Sequence, residues 1–114
     1  MYAYIGCRTT KERNARGKGI RVYEINNGAW ELKQIAKGQV NPSYLCLNEK
    51  QDRLYAIHGD FSEVSAYKVA EDGTLTYQNT TETHGTNPVH LTIDRTGKWL
   101  FVANLQTGGV SVIP

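Results

Sequence analysis

The segment Asn41-Pro42-Ser43-Tyr44-Leu45-Cys46-Leu47 returns 46 residues later as Asn87-Pro88-Val89-His90-Leu91-Thr92-Ile93. The same offset carries Leu54-Tyr55-Ala56-Ile57 onto Leu100-Phe101-Val102-Ala103 and Val64-Ser65 onto Val110-Ser111. One unit earlier, Gly19-Ile20-Arg21-Val22-Tyr23 matches Glu63-Val64-Ser65-Ala66-Tyr67 at a spacing of 44. A period of this length makes each unit one supersecondary element that must bury its faces against its neighbours. Within the units, short runs rich in Val, Ile, Tyr and Thr alternate with period two, and no segment sustains a 3.6-residue period. Asn26-Asn27-Gly28, Glu71-Asp72-Gly73, Arg95-Thr96-Gly97 and Thr107-Gly108-Gly109 punctuate them as turns. Strands are expected near 2–6, 19–25, 30–36, 43–48, 53–58, 63–69, 74–82, 89–94, 99–104 and 109–113.

Four strands per repeat is the content of a propeller blade. A sandwich also strings short strands together, but does not normally repeat its sequence every four of them. The expected fold is therefore all-β, a β-propeller fragment of about two and a half four-stranded blades. The first blade (1–37) lacks its inner strand, the second spans 38–82, and a partial third spans 83–114. Parity in an antiparallel meander puts the Asn-Pro segments 38–43 and 83–89 on one face with loops 6–18, 58–63 and 104–109. Proline entering an inner strand fits there because that amide need not donate. A seven-bladed ring needs about 320 residues at about 45 per blade, so the chain is expected to be the N-terminal part of a longer protein. Alone, it would present blade faces and unpaired strand edges, an aggregation hazard.

Composition narrows the function classes. No apolar run approaches the ~20 residues that span a bilayer, and MYAYIGCRTT lacks the parts of a secretory leader, so neither membrane nor secretion is expected. Cys7 and Cys46 are expected as free thiols, and the Asn79-Thr80-Thr81 sequon carries no weight in that setting. The net charge of +2 hides a basic loop, where Arg8, Lys11, Arg13, Arg16 and Lys18 face only Glu12. The remaining 8 bases and 10 acids make a weakly acidic body, which does not suit nucleic acid.

The blocks Tyr4-Ile5-Gly6, Gly19-Ile20-Arg21-Val22-Tyr23, Asn41-Pro42-Ser43-Tyr44-Leu45, Arg53-Leu54-Tyr55-Ala56 and, above all, Pro88-Val89-His90-Leu91-Thr92-Ile93-Asp94-Arg95-Thr96-Gly97-Lys98-Trp99-Leu100-Phe101-Val102-Ala103-Asn104 stand in the order of a known family. Together they resemble the seven-bladed-propeller lactonases, which include 6-phosphogluconolactonase and relatives of the carboxymuconate cyclases. The resemblance covers nearly the whole chain and matches the N-terminal third of the family, with a departure at Cys7 and Arg8. It implies hydrolysis of a small-molecule sugar lactone, such as 6-phosphogluconolactone, in the cytoplasm, with no cofactor and no metal. It implies as partners only the remaining blades of the same propeller.

Site candidates follow from face and chemistry. His90, at the start of an inner strand, corresponds to the family's Pro-x-His histidine. It is expected as the catalytic general base, since an imidazole titrates near neutral pH; otherwise it bonds between blades and holds the loop. Tyr44, its repeat partner, is expected to contact substrate or to pack in the channel. His58 and Asn104, partners at the ends of second strands, are further substrate-binding candidates; the competing expectations are an exposed turn at His58-Gly59-Asp60 and turn chemistry at Asn104. Arg8 is the cation best placed to grip a phosphate, against the alternative of a solvated, flexible basic loop. His84 ranks lower, and Asn41 and Asn87 are expected to end their loops by bonding their own backbone. Besides lactone hydrolysis by the complete protein, a non-catalytic binding scaffold and a carboxymuconate-type lactone cyclase remain open, and the fragment by itself is expected to be inactive. No Ser-His-Asp order, Gly-rich phosphate loop or metal-ligand cluster stands out.

Overall fold

In a computed structural model, which describes residues 1–114, ten strands form three antiparallel meanders. The first sheet joins β1 (Tyr2–Ile5), β2 (Ile20–Asn26) and β3 (Ala29–Ala36) in that order. The second joins β4 (Pro42–Leu47), β5 (Arg53–His58), β6 (Glu63–Val69) and β7 (Leu75–Glu82). The third joins β8 (Pro88–Ile93), β9 (Leu100–Asn104) and β10 (Gly109–Ile113). All ten strands fall where the alternation places them. The one helical element is a 3₁₀ turn, Lys11–Arg13, inside the basic loop, closed by Asn14 in the left-handed region. No helix is long and apolar enough to cross a membrane.

The repeat is visible in the register. Bulges interrupt the ladder between Val22 and Tyr23 and between Ala66 and Tyr67, 44 residues apart. They also fall between Pro42 and Tyr44 and between Pro88 and His90, 46 apart. The second pair matters for function. A bulge places an extra residue, Ser43 or Val89, before the ladder resumes and so re-aims the next side chains.

Strand β5 shows why the blades must stack. Leu54 and Ala56 point to one side and join Ile20, Val22, Tyr67 and Leu75 in a core between the first and second sheets. Ile57 points to the other side and joins Val64, Leu91, Leu100, Val102 and Ile113 between the second and third. A strand buried on both faces reads as a nearly continuous apolar run, as Leu54-Tyr55-Ala56-Ile57 does. Each large aliphatic side chain buried in these layers contributes about 1.5–3 kcal/mol. The Tyr67 hydroxyl is buried without a partner, and burial pushes its pKa up to about 12.

At the outer rim, Gln34 on β3 acts as a piece of backbone. Its amide Nε2 donates to Leu75 O (2.9 Å), and its Oε1 accepts from Leu75 N–H (2.7 Å). The free edges of β1 and β10 carry no strand partner, and Trp99, Phe101, Val110 and Val112 are exposed on the third sheet.

Candidate functional site

The joints between blades position the site. Asn41 and Asn87 both adopt the left-handed conformation just before the proline, at φ 43° and 57°. Asparagine tolerates that conformation because its short polar side chain can bond nearby backbone. The sequence predicts side chains that close their own loops; instead the Oδ1 of each reaches into the preceding blade. Asn41 Oδ1 accepts from the N–H groups of Thr9 (2.7 Å) and Thr10 (3.2 Å). Asn41 Nδ2 donates to Gly59 O (2.9 Å). Asn87 Oδ1 accepts from Asp60 N–H (2.8 Å). The backbone repeats as well: Asn41 O accepts from Gly59 N–H, and Asn87 O from Leu105 N–H. These bonds bring loops 6–18, 58–63 and 104–109 onto one face with the Asn-Pro segments, as parity requires.

The ends of the second strands are latches. His58 is buried rather than lying in an exposed turn. Its Nδ1 faces Val40 O, which only accepts, so Nδ1 carries the hydrogen. Its Nε2 lies 2.6 Å from Ser65 Oγ. Forty-six residues on, Asn104 repeats the bond to the serine: Nδ2 donates to Ser111 Oγ (2.9 Å), and Ser111 Oγ in turn donates to Thr83 O (2.5 Å). Asn104 is buried, and Gly85 lies against it so closely that a Cβ there would meet its amide at 2.4 Å. In the first blade the strand register gives this position to Cys7, whose thiol donates to Gly19 O (3.1 Å). Both cysteines are free, and burial pushes the Cys46 thiol up. With His58 and Asn104 bonded inside their own blades, the structure does not bring them out beside His90.

What the face does present is a pair of rings. Tyr44 and His90, each directly after its bulge, lie with ring centroids 4.7 Å apart and planes tilted by 46°. Both are exposed, and the His90 imidazole makes no hydrogen bond, so it does not hold the loop between blades. Beside them, the basic loop is pinned. Arg8 Nη1 donates to Asp60 Oδ2 (2.7 Å), while Arg13 forks the same carboxylate through Nε (2.7 Å) and Nη2 (2.5 Å). Arg13, then the charge of Arg8, holds the Asp60 carboxyl below its ordinary value. Asp60 was not singled out from the sequence. An isolated acid in a His-Gly-Asp turn carries no signal of two arginines 52 and 47 residues away.

No three His, Cys, Asp or Glu side chains gather in a way that could hold a metal. The roomiest clefts, about 610 and 550 Å³, open on the opposite face beside the glycine turns. Two of their acids are spent on local turns: Asp94 accepts from Thr96, Lys98 and Trp99, and Asp52 from Asn48.

The profile of the family described as "Lactonase, 7-bladed beta-propeller" matches residues 2–114. This chain belongs to that family. Among the lactonases, it is 30% identical over 118 residues to the 6-phosphogluconolactonase of Formosa agariphila, covering 95% of this chain and 32% of that protein. It is 38% identical over 99 residues to the 6-phosphogluconolactonase of Yersinia pestis, covering 83% and 28%. A solved candidate 6-phosphogluconolactonase of Bacteroides fragilis superposes with a TM-score of 0.87 at 30% identity, over 99% of this chain and 32% of that one. The chain thus spans about a third of the length of these lactonases, as expected of a propeller fragment.

Proposed function

We propose that this chain forms the first third of a lactonase that hydrolyses 6-phosphogluconolactone to 6-phosphogluconate, with His90 as general base. The observation that carries the reading is the exposed Tyr44–His90 pair, on a face that also holds Arg8, in a chain of this family. His90 has both ring nitrogens free of protein partners, so one can take the proton of a water as its oxygen attacks the lactone carbonyl carbon. Collapse of the tetrahedral adduct breaks the ring C–O bond, and the imidazolium returns its proton to the departing alkoxide. Water is consumed, and a hydroxy acid is formed. Tyr44 supports the imidazole from one side and offers its ring and hydroxyl to a sugar. Arg8 supplies positive charge for the phosphate. The reading includes a cytoplasmic setting and the pentose phosphate pathway, and it assigns no activity to the 114 residues alone.

The test is turnover by a complete seven-bladed propeller that contains residues 1–114, with the other blades supplied by a relative. His90→Ala is expected to lower kcat/KM for 6-phosphogluconolactone by about 10²–10⁴-fold with folding retained. Undiminished turnover by that variant would remove His90 from the chemistry.

A further inference from the structure

The Arg8–Asp60–Arg13 cluster contains two cations and one anion, so it keeps a surplus positive charge on the face that carries Tyr44 and His90. Arg13 spends its fork on Asp60, whereas Arg8 spends only Nη1; Arg8 Nη2 and Nε donate to no protein acceptor. The Arg8 guanidinium lies directly on Gly59. A Cβ there would stand 2.9 Å from Nη1, 3.0 Å from Nη2 and 2.7 Å from Ser43 Oγ. Ser43 is the bulge residue before Tyr44, and its hydroxyl also has no hydrogen-bond partner. Arg8 is therefore flattened against the β5–β6 turn beside Ser43, the residue that precedes Tyr44 in the bulge of β4.

We propose that Asp60 is a positioning residue that holds Arg8, over a side-chain-free Gly59, so that Arg8 Nη2 and Ser43 Oγ form a subsite for the phosphate oxyanion of the substrate. This rests on the reading of the face as a sugar-lactone site and names which atoms take the charged group. Asp60 suits the task because it is fixed from both sides. Its carboxylate is gripped by the arginines, and its backbone N–H donates to Asn87 Oδ1, three residues before His90. Its φ of 72° is a conformation that aspartate and asparagine accept more readily than other side chains. One residue thus fixes the cation of the first blade against the strand that carries the histidine of the third. A guanidinium with its orientation set in advance loses less freedom when it binds an anion.

The experiment is calorimetric titration with 6-phosphogluconate, and with gluconate as the phosphate-free arm. It uses the 114-residue chain and the same chain completed by further blades. Asp60→Asn removes a negative charge from beside two arginines while keeping a side chain that accepts φ 72°. If Asp60 only neutralised the loop, this change would tighten anion binding. If it positions Arg8, binding of 6-phosphogluconate weakens by about tenfold. Gly59→Ala leaves every charge in place but displaces the guanidinium, and a similar weakening is expected. Thermal melting shows whether each variant is folded.

Equal or tighter binding by Asp60→Asn overturns the positioning role. Equal binding of gluconate and 6-phosphogluconate, or no binding of either, overturns the oxyanion subsite. Neither result bears on the hydrolytic reading, which turnover of the His90 variant decides separately.

Discussion

The chain builds the same joint between blades twice, and the two copies are not equally tight. At the first joint, Asn41 is fully buried and its side chain satisfies two backbone N–H groups of one blade and a carbonyl of its own. Gln34 adds a pair of hydrogen bonds at the rim, and Asp60 ties in both arginines. At the second joint, the Asn87 side chain accepts a single bond, from Asp60 N–H. In exchange, this joint sets two rings side by side at the surface with the imidazole unbonded. The polar bonds fix the first joint as a frame, while the second leaves its polar group free for a ligand. A catalytic base needs that freedom, and a structural histidine does not have it.

Removing the clamps should break this contrast most sharply. Asn41→Ala leaves the Thr9 and Thr10 N–H groups and Gly59 O without their partner, and it places alanine at positive φ. A loss of about 3 kcal/mol is expected in denaturant unfolding. Asn87→Ala carries the same positive-φ strain but loses one bond at a less buried site, and should cost about 2 kcal/mol. Equal losses would mean that the two joints share load evenly.

The latches give the next effect. His58→Ala abandons Val40 O and Ser65 Oγ and opens a void, for about 2 kcal/mol. His58→Asn should cost less, about 1 kcal/mol, since asparagine already makes the bond to the serine at Asn104 and only the bond to Val40 O is lost. A His58→Asn variant as unstable as His58→Ala would show that the two latches are not equivalent.

The smallest effect concerns pH. Asp60 is held below the ordinary carboxylate value of about 3.9, so its contribution to folding is fully present above that value. It is lost only as pH falls through the lower folded value. The contact of the basic loop, followed through the Arg8 and Arg13 side-chain resonances, should therefore be constant from about pH 5 to 8 and open only below about pH 4. Opening near neutral pH would point to a histidine instead.

Fold and site were legible to different depths, for physical reasons. A strand buried on both faces needs apolar residues at every position, and stacked units need the same ones. Leu54-Tyr55-Ala56-Ile57 and its copy therefore revealed the blades directly. Parity alone put Asn41, Asn87, His90 and the basic loop on one face, because a meander has no other way to run. Side-chain partners were not legible. The His-Gly-Asp sequence looks like an exposed turn, yet His58 is buried because Val40 arrives from the loop before β4 and Ser65 from the next strand. Asn41 looks like a loop terminator, and its real partners lie 18, 31 and 32 residues away. Asp60 matters only through the arginines that the fold delivers to it.

The two histidines of this face give the most direct test. In a complete propeller carrying residues 1–114, kcat/KM for 6-phosphogluconolactone is measured for His90→Asn and His58→Asn side by side. The expected result is a loss of about 100-fold or more for His90→Asn and less than about threefold for His58→Asn. The reverse pattern, with His58→Asn inactive and His90→Asn unimpaired, would contradict the assignment of the exposed histidine to chemistry and the buried one to structure.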